Sequence, residues 1–187
     1  LIDKTSLEAS MIHRADWPIE VRLLGVLDAA ALANFYERNT EHLKSWEPFR
    51  EPGYHSVESW RRRIGVGDLL KFAAWEPGNN QLLGVCSLTN IIRGPFQACT
   101  MGYAVDRSFE GRGVMGRLCR NVLDYAFDTL KLNRVMANYM PCNNRSAALL
   151  ESLGFVIEGR AVKYLKINGC WEDHILTAKL NPKPIDI

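Results

Sequence analysis

The chain is poor in the residues that hold metals or staple a secreted fold. Its five cysteines, Cys86, Cys99, Cys119, Cys142 and Cys170, are odd in number and scattered, form no Cys-x-x-Cys pair, and have only four histidines to join them. No metal cofactor is therefore expected, and free thiols of this kind suit a reducing, cytoplasmic setting. No apolar run approaches the ~20 residues of a membrane span, and residues 1–17 are too polar for a signal peptide. Charge is nearly balanced, 23 Lys and Arg against 21 Asp and Glu for a net +2. That gives no polycation to wrap DNA. Nor is there an internal repeat or a linker. With 47% hydrophobic and 24% charged residues over 187 positions, residues 1–187 are expected to be a single domain with one core.

What is present is a glycine turn, Glu110-Gly111-Arg112-Gly113-Val114-Met115-Gly116, lying between a strand-like and a helical segment. Glycines at this spacing let backbone approach an anion, and a helix starting there aims unpaired N–H groups and a positive dipole end at it. The literal Gly-x-Gly-x-x-Gly match to a dinucleotide turn fails on context. That turn follows a first strand and is answered about 20 residues on by an acid, whereas this one lies past mid-chain and the next strand, Arg134–Tyr139, carries no acid. The nucleoside-triphosphate loop fails as well, because Val114-Met115 replaces the lysine and hydroxyl residue.

Periodicity supplies the rest. Residues 19–23 alternate as a half-buried strand, and Asp28 is expected to cap a helix over Ala29–Arg38 with Leu32, Phe35 and Tyr36 as its apolar stripe. Ser56 caps a second helix through Arg61-Arg62-Arg63 that should end by Gly67. Leu70–Trp75, Leu82–Ile92 and residues 97–105 read as an antiparallel meander. Val114, Leu118, Val122, Ala126 and Leu130 then mark a long buried helix. A strand over Arg134–Tyr139 and a short helix after Asn143, stopped by Gly154, lead to a hairpin of Val156–Ile167 and residues 171–180 about Asn168-Gly169. The expected order is βααβββαβαββ.

That order, with its glycine turn after the fourth strand and its Asn-led helix after the fifth, resembles the GNAT superfamily of N-acetyltransferases. The superfamily pattern Gln/Arg-x-x-Gly-x-Gly/Ala lays onto residues 110–115 with Gly113 central, and departs at Glu110 and Met115. Leu43-Lys44-x-Trp46-Glu47-Pro48, Met136 to Pro141, Asn143-x-x-Ser146, Leu153-Gly154-Phe155 and Asn168-Gly169-x-Trp171-x-Asp173-His174 look like the RimJ-type ribosomal-protein-alanine N-acetyltransferases. The resemblance implies an α+β fold with a mixed, mostly antiparallel sheet flanked by helices. It also implies acetyl-coenzyme A as cosubstrate and, as acceptor, the N-terminal alanine of small-subunit protein five, attacked directly in a ternary complex. Contact with the ribosome or its precursor follows from such an acceptor. A small-molecule acceptor, such as an aminoglycoside or polyamine, and a non-catalytic ribosome-assembly role stay open beside it.

Residue by residue, the resemblance assigns the pyrophosphate to Gly111, Arg112, Gly113, Val114, Met115 and Gly116, and the pantetheine arm to the strand at Tyr103-Ala104-Val105. Glu110 should turn away from the phosphates. Asn143 is a natural helix cap to which the resemblance adds a cofactor hydrogen bond, Arg145 is a solvated charge or a phosphate contact, and Ser146 is the candidate acid for the departing thiolate. The family's basic glutamate is replaced by Asn138 and its acidic tyrosine by Leu150, so neither role carries over. Glu47 is the candidate to receive a proton from the amine or grip it. His174 reads as structural, the arginine run as a solvated helix face, and the tryptophans as core. Cys142, with no placed histidine, supports no acyl-cysteine route.

Overall fold

The computed structural model describes residues 18–64 and 69–183; the expectations on residues 1–17 and on a helix end at Gly67 fall outside them. Among the described residues, seven strands form one sheet in the order β1-β2-β3-β4-β5-β7-β6. In chain order they are β1 (Glu20–Leu23), β2 (Leu70–Trp75), β3 (Leu82–Ile92), β4 (Ala98–Val105), β5 (Arg134–Tyr139), β6 (Val156–Ile167) and β7 (Cys170–Leu180). The helices are α1 (Ala29–Arg38), α2 (Thr40–Leu43), α3 (Val57–Arg63), α4 (Val114–Asp124) and α5 (Asn144–Ser152). The fold is therefore α+β with a mixed sheet, mostly antiparallel, whose one parallel contact among the described residues joins β4 and β5.

Two details depart from expectation. The order gains α2, because Asn39 breaks the first helix: its buried side chain donates to Phe35 O at 2.9 Å and accepts the Arg107 N–H at 3.0 Å. Asp28 does not cap α1. It ends a 3₁₀ turn, Val26–Asp28, and its carboxylate accepts two hydrogen bonds from Arg22 and one from the Gly25 N–H at 2.8 Å. Ser56 caps α3 as its spacing requires, accepting from Ser59 N at 3.2 Å. Asn168 and Gly169 both have positive φ, as a two-residue primed turn demands. The long helix begins at Val114 and finishes in a π-helical turn, Tyr125–Thr129.

Alternation along the strands sorts the core onto two faces. Phe72, Ala74, Cys86, Leu88, Cys99 and Met101 pack with Leu118, Val122 and Leu150 beneath α4 and α5. Ala73, Trp75 and Val85 pack with Leu32, Phe35, Tyr36 and Trp60 beneath α1 and α3. Among the described residues no helix is long and apolar enough to cross a membrane.

The parallel ladder is short. Ala98, Cys99 and Thr100 pair with Arg134, Val135 and Met136, after which β4 runs on to Val105 and β5 to Tyr139 with no further pairing between them. The sheet opens there as a wedge at the carboxyl ends of two parallel strands, the position where open α/β sheets take their ligands.

Candidate active site

The lip of the wedge is built by Asp106, the residue after β4. Its buried carboxylate accepts from Arg38 Nε at 2.6 Å, Asn39 Nδ2 at 3.2 Å and the Ser108 N–H at 2.9 Å, which caps the 3₁₀ turn Arg107–Phe109. Burial pushes this carboxyl up, and the hydrogen bonds from Arg38, Ser108 and Asn39 outweigh it, leaving it below its ordinary value. The chain then passes through Gly111 at φ +69° and Gly113 at φ +74°, left-handed geometry that a side chain disfavours. Among the described residues no side chain caps α4, and its first backbone bond runs from Arg117 N to Gly113 O at 3.2 Å. The N–H groups of Val114, Met115 and Gly116 thus have no helical carbonyl to pair with, and this cradle suits a pyrophosphate.

Packing does not by itself require a glycine at position 116. A β-carbon there would meet the Arg120 guanidinium at 3.7 Å and Leu149 Cδ1 at 3.8 Å, ordinary contacts where α4 passes α5. The same geometry exposes a residue that sequence reading missed. Arg120, one turn further on, leans back so that its guanidinium lies beside the first turn of α4, as side chains tilted toward a helix N-terminus do. Its i+4 spacing from Gly116 was the available signal. Arg112 lies with its guanidinium carbon 5.0 Å from the Phe109 ring centroid. Glu110 has its carboxylate paired with Arg145 and 3.4 Å from His42 Nε2. Arg145, 77% exposed, is thus engaged by a carboxylate.

On the α4 and α5 face, Asn143 caps α5 by accepting the Ser146 N–H at 3.0 Å. That use of Oδ1 leaves the amide NH₂ as what Asn143 has to donate to a ligand. Ser146 Oγ and Tyr103 Oη lie 2.5 Å apart, joining α5 to β4 across the wedge. Burial holds the Tyr103 phenol well above its ordinary value, partly offset by the Ser146 bond, so the ring stays protonated at neutral pH. The sequence marked Tyr103 for its backbone; its side chain is the larger finding. Ala104 and Val105 continue the partly exposed edge.

The opposite face carries a cluster largely missed by sequence reading. Glu47 Oε2 lies 3.8 Å from His55 Nε2, and the Glu47 carbonyl accepts the Asn168 N–H at 3.0 Å, tying the link after α2 to the β6–β7 turn. His55 stacks on Tyr36 with centroids 4.0 Å apart, and its buried Nδ1 finds no hydrogen bond among the described residues. Burial, aided by Arg63, Arg50 and Lys71, pushes the imidazole down to about 4, so it is neutral at neutral pH. Burial likewise pushes the Glu47 carboxyl up. Lys71, buried on β2, donates to Ser87 Oγ on β3 at 2.9 Å.

Other expectations divide here. The arginine run is not one solvated face: Arg61 and Arg62 are exposed, whereas the Arg63 guanidinium sits 3.9 Å from the Tyr54 ring centroid and 3.8 Å from that of Trp60. Trp60 and Trp75 are core, but Trp46 is 40% and Trp171 59% exposed. His174 is buried, with Nδ1 3.1 Å from Glu172 O and its ring beside Tyr164. Asn138 donates to Tyr164 Oη at 3.3 Å, and Leu150 is core. Cys142 is exposed.

The glycine-led helix N-terminus beside the parted strand pair sits where the resemblance to N-acetyltransferases puts its phosphate-binding turn, and the family comparison gives the class. An Acetyltransferase (GNAT) domain model matches residues 19–156, and the chain belongs to that family, an N-acetyltransferase. It is 38% identical over 169 residues to the ribosomal protein uS5-alanine N-acetyltransferase of Escherichia coli strain K12, covering 87% of each chain. Its structure is similar to that of the ribosomal-protein-S5-alanine acetyltransferase from Vibrio fischeri, with TM-score 0.84, 40% identity, and 89% and 96% of the two chains covered. It is also similar to Mycobacterium smegmatis RimJ in complex with CoA-disulfide, with TM-score 0.78, 28% identity, and 89% and 85% covered.

Proposed function

We propose that the chain transfers acetyl from acetyl-coenzyme A to the N-terminal α-amine of ribosomal protein uS5, on a chain beginning with alanine. The observation that carries the acceptor is the 38% identity across 87% of both chains to an enzyme named for that reaction. The donor reading rests on the wedge. Gly111 to Gly116 supply a pyrophosphate cradle, joined by Arg120, and the unpaired edge of β4 at Tyr103, Ala104 and Val105 offers backbone to an extended pantetheine arm. Asn143 donates from its amide, and Arg145 moves from Glu110 to a phosphate.

An α-amine has a pKa of about 8, so roughly a tenth of it is neutral at pH 7. Its lone pair attacks the thioester carbonyl carbon, the C–S bond breaks, and the thiolate takes a proton from Ser146 Oγ, which draws one from Tyr103 across the 2.5 Å contact; Tyr103 recovers its proton from solvent as the products leave. Glu47, tied across to the hairpin turn, grips the incoming ammonium. A polyamine acceptor is disfavoured, because Lys71 and Arg50 bear on Glu47 and Arg63 on the neighbouring His55, a cluster of positive charge. Exposed Arg61 and Arg62 are available to ribosomal RNA, and such an acceptor places the enzyme in the cytoplasm.

Labelled acetyl-coenzyme A with a peptide of the uS5 N-terminus is the direct test. The expected result is label on the α-amine, with kcat of Ser146→Ala down about 10²-fold and KM for the donor little changed. Label confined to a lysine side chain or a polyamine would reject the acceptor.

A further inference from the structure

One polar pair on the acceptor face has no part in the reaction above. Lys71, Ser87 and Gly102 stand opposite one another in the β2–β3–β4 register, a row across three strands. Lys71 is 7% exposed with Nζ 2.9 Å from Ser87 Oγ, Ser87 is half-buried, and Gly102 is exposed. Among the described residues other than its two chain neighbours, no heavy atom lies within 4 Å of where a Gly102 β-carbon would be. Gly102 lies past the last β4–β5 pair, so the row ends at the mouth of the wedge. Its neighbour Tyr103 faces the other side and holds Ser146. On the acetyl-transfer reading above, an amine approaching over Gly102 would reach a thioester held beside Ser146 and pass Ser87 on the way.

We propose that Ser87 and Lys71 form the proton relay for the acceptor amine, Ser87 touching the substrate and Lys71 acting through it; this deepens the acetyl transfer proposed above and rests on it. After the neutral amine attacks, its nitrogen still carries a proton to lose. That proton passes to Ser87 Oγ while the hydroxyl's own proton passes to the lone pair of neutral Lys71 Nζ, the contact now running from Ser87 O–H to nitrogen. The electrons of the broken C–S bond leave on the thiolate, and Lys71 returns its proton to solvent between turnovers.

Packing alone does not account for a lysine here. Among the described residues no carboxylate lies within ion-pair distance of Nζ, which instead sits 5.5 Å from the Tyr36 and 5.2 Å from the Trp60 ring centroid. Two ring faces and one hydroxyl are what offsets the burial of this ammonium among the described residues. The groups that bear on its charge are Glu47 from the link and Cys86 from β3, which favour it, and Arg63 from α3 and Arg50, which oppose it. Burial dominates and pushes the ammonium down to about 8, matched to an α-amine near 8.

The test compares wild type, Lys71→Met and Ser87→Ala with two acceptors, the uS5 peptide and spermidine. Each variant is expected to lose about 10²-fold in kcat with KM for acetyl-coenzyme A within about threefold, and the double variant to be no worse than the weaker single. Below about pH 8 the slope of log kcat against pH falls from two toward one in either variant, because one of two deprotonations drops out. Lys71→Met melts no lower than wild type, which a structural lysine would not allow. Should it fail to fold, Ser87→Ala decides. A folded variant with kcat within about threefold of wild type and an unchanged pH slope overturns the relay. Acetylation of spermidine alone rejects the uS5 acceptor while the variants still judge the relay, and acetylation of neither overturns both.

Discussion

Asp106 shows how much one buried carboxylate decides. It joins the end of α1, through Arg38, to the end of β4 and the start of the glycine turn. Asp106→Asn leaves the Arg38 guanidinium, itself 30% exposed, facing a neutral group, a loss of about 2 kcal/mol for a part-buried charged hydrogen bond and of about 6 °C in Tm for a chain this long. The pH dependence follows from the direction of the shift. The folded carboxyl stays ionised below the ~3.9 at which an unfolded aspartate takes up its proton. Its contribution is therefore whole at neutral pH and is lost as pH falls through the lower, folded value. Melting curves from pH 7 to 3 are expected to show the variant well below wild type at pH 7 and converging on it in acid. A constant gap would assign the loss to packing. None of this was legible in the sequence, which marked Arg38 only as the end of a helix, while its partner Asp106 lies 68 residues further on.

The elements were legible where their signal is local. Hydrophobic alternation and turn glycines gave the strands, and the 3.6-residue repeat from Val114 gave α4, because such patterns report burial on one face. The break at Asn39 was hidden because it depends on the Arg107 N–H and the Asp106 carboxylate, both distant in the chain. The parting of β4 from β5 was hidden too, since each strand alone is regular. The α4 start makes its own prediction. Gly113→Ala and Gly94→Ala both place a side chain at φ near +70°, at a cost of ~1–2 kcal/mol each, but Gly94 lies in the β3–β4 turn and serves as the control. Both should melt a few degrees lower, while calorimetric titration with coenzyme A shows weakened binding for Gly113→Ala alone. Equal affinities would leave the glycine turn with a purely local role.

At the scale of the molecule, the wedge divides the sheet into β1 to β4 and β5, β7, β6. The halves are joined at its base by three residue pairs and by Asn133 N and Arg134 N bonding to Gln97 O at 2.8 and 3.1 Å. On the open side the Asn168 N–H to Glu47 O bond ties the link to the hairpin. Acetyl-coenzyme A seated along β4 and beneath α5 would contact both halves, so its binding should brace the part of the sheet that lacks a ladder. A ligand at 100 times its Kd adds about 2.7 kcal/mol, a rise of roughly 5–10 °C in Tm. Any tight ligand does as much; the location of the protection is specific. Amides exchanging by local opening are slowed most where the ligand supplies the missing partner. Hydrogen exchange with and without coenzyme A is therefore expected to slow residues 101–105, 137–139 and the first turn of α4 beyond the general effect. The β1–β2 pair, away from the wedge, should change only with global stability. Protection centred instead on β6 and the hairpin turn would move the donor out of the wedge, and with it the meeting point of the Ser146–Tyr103 pair and the Ser87–Lys71 row.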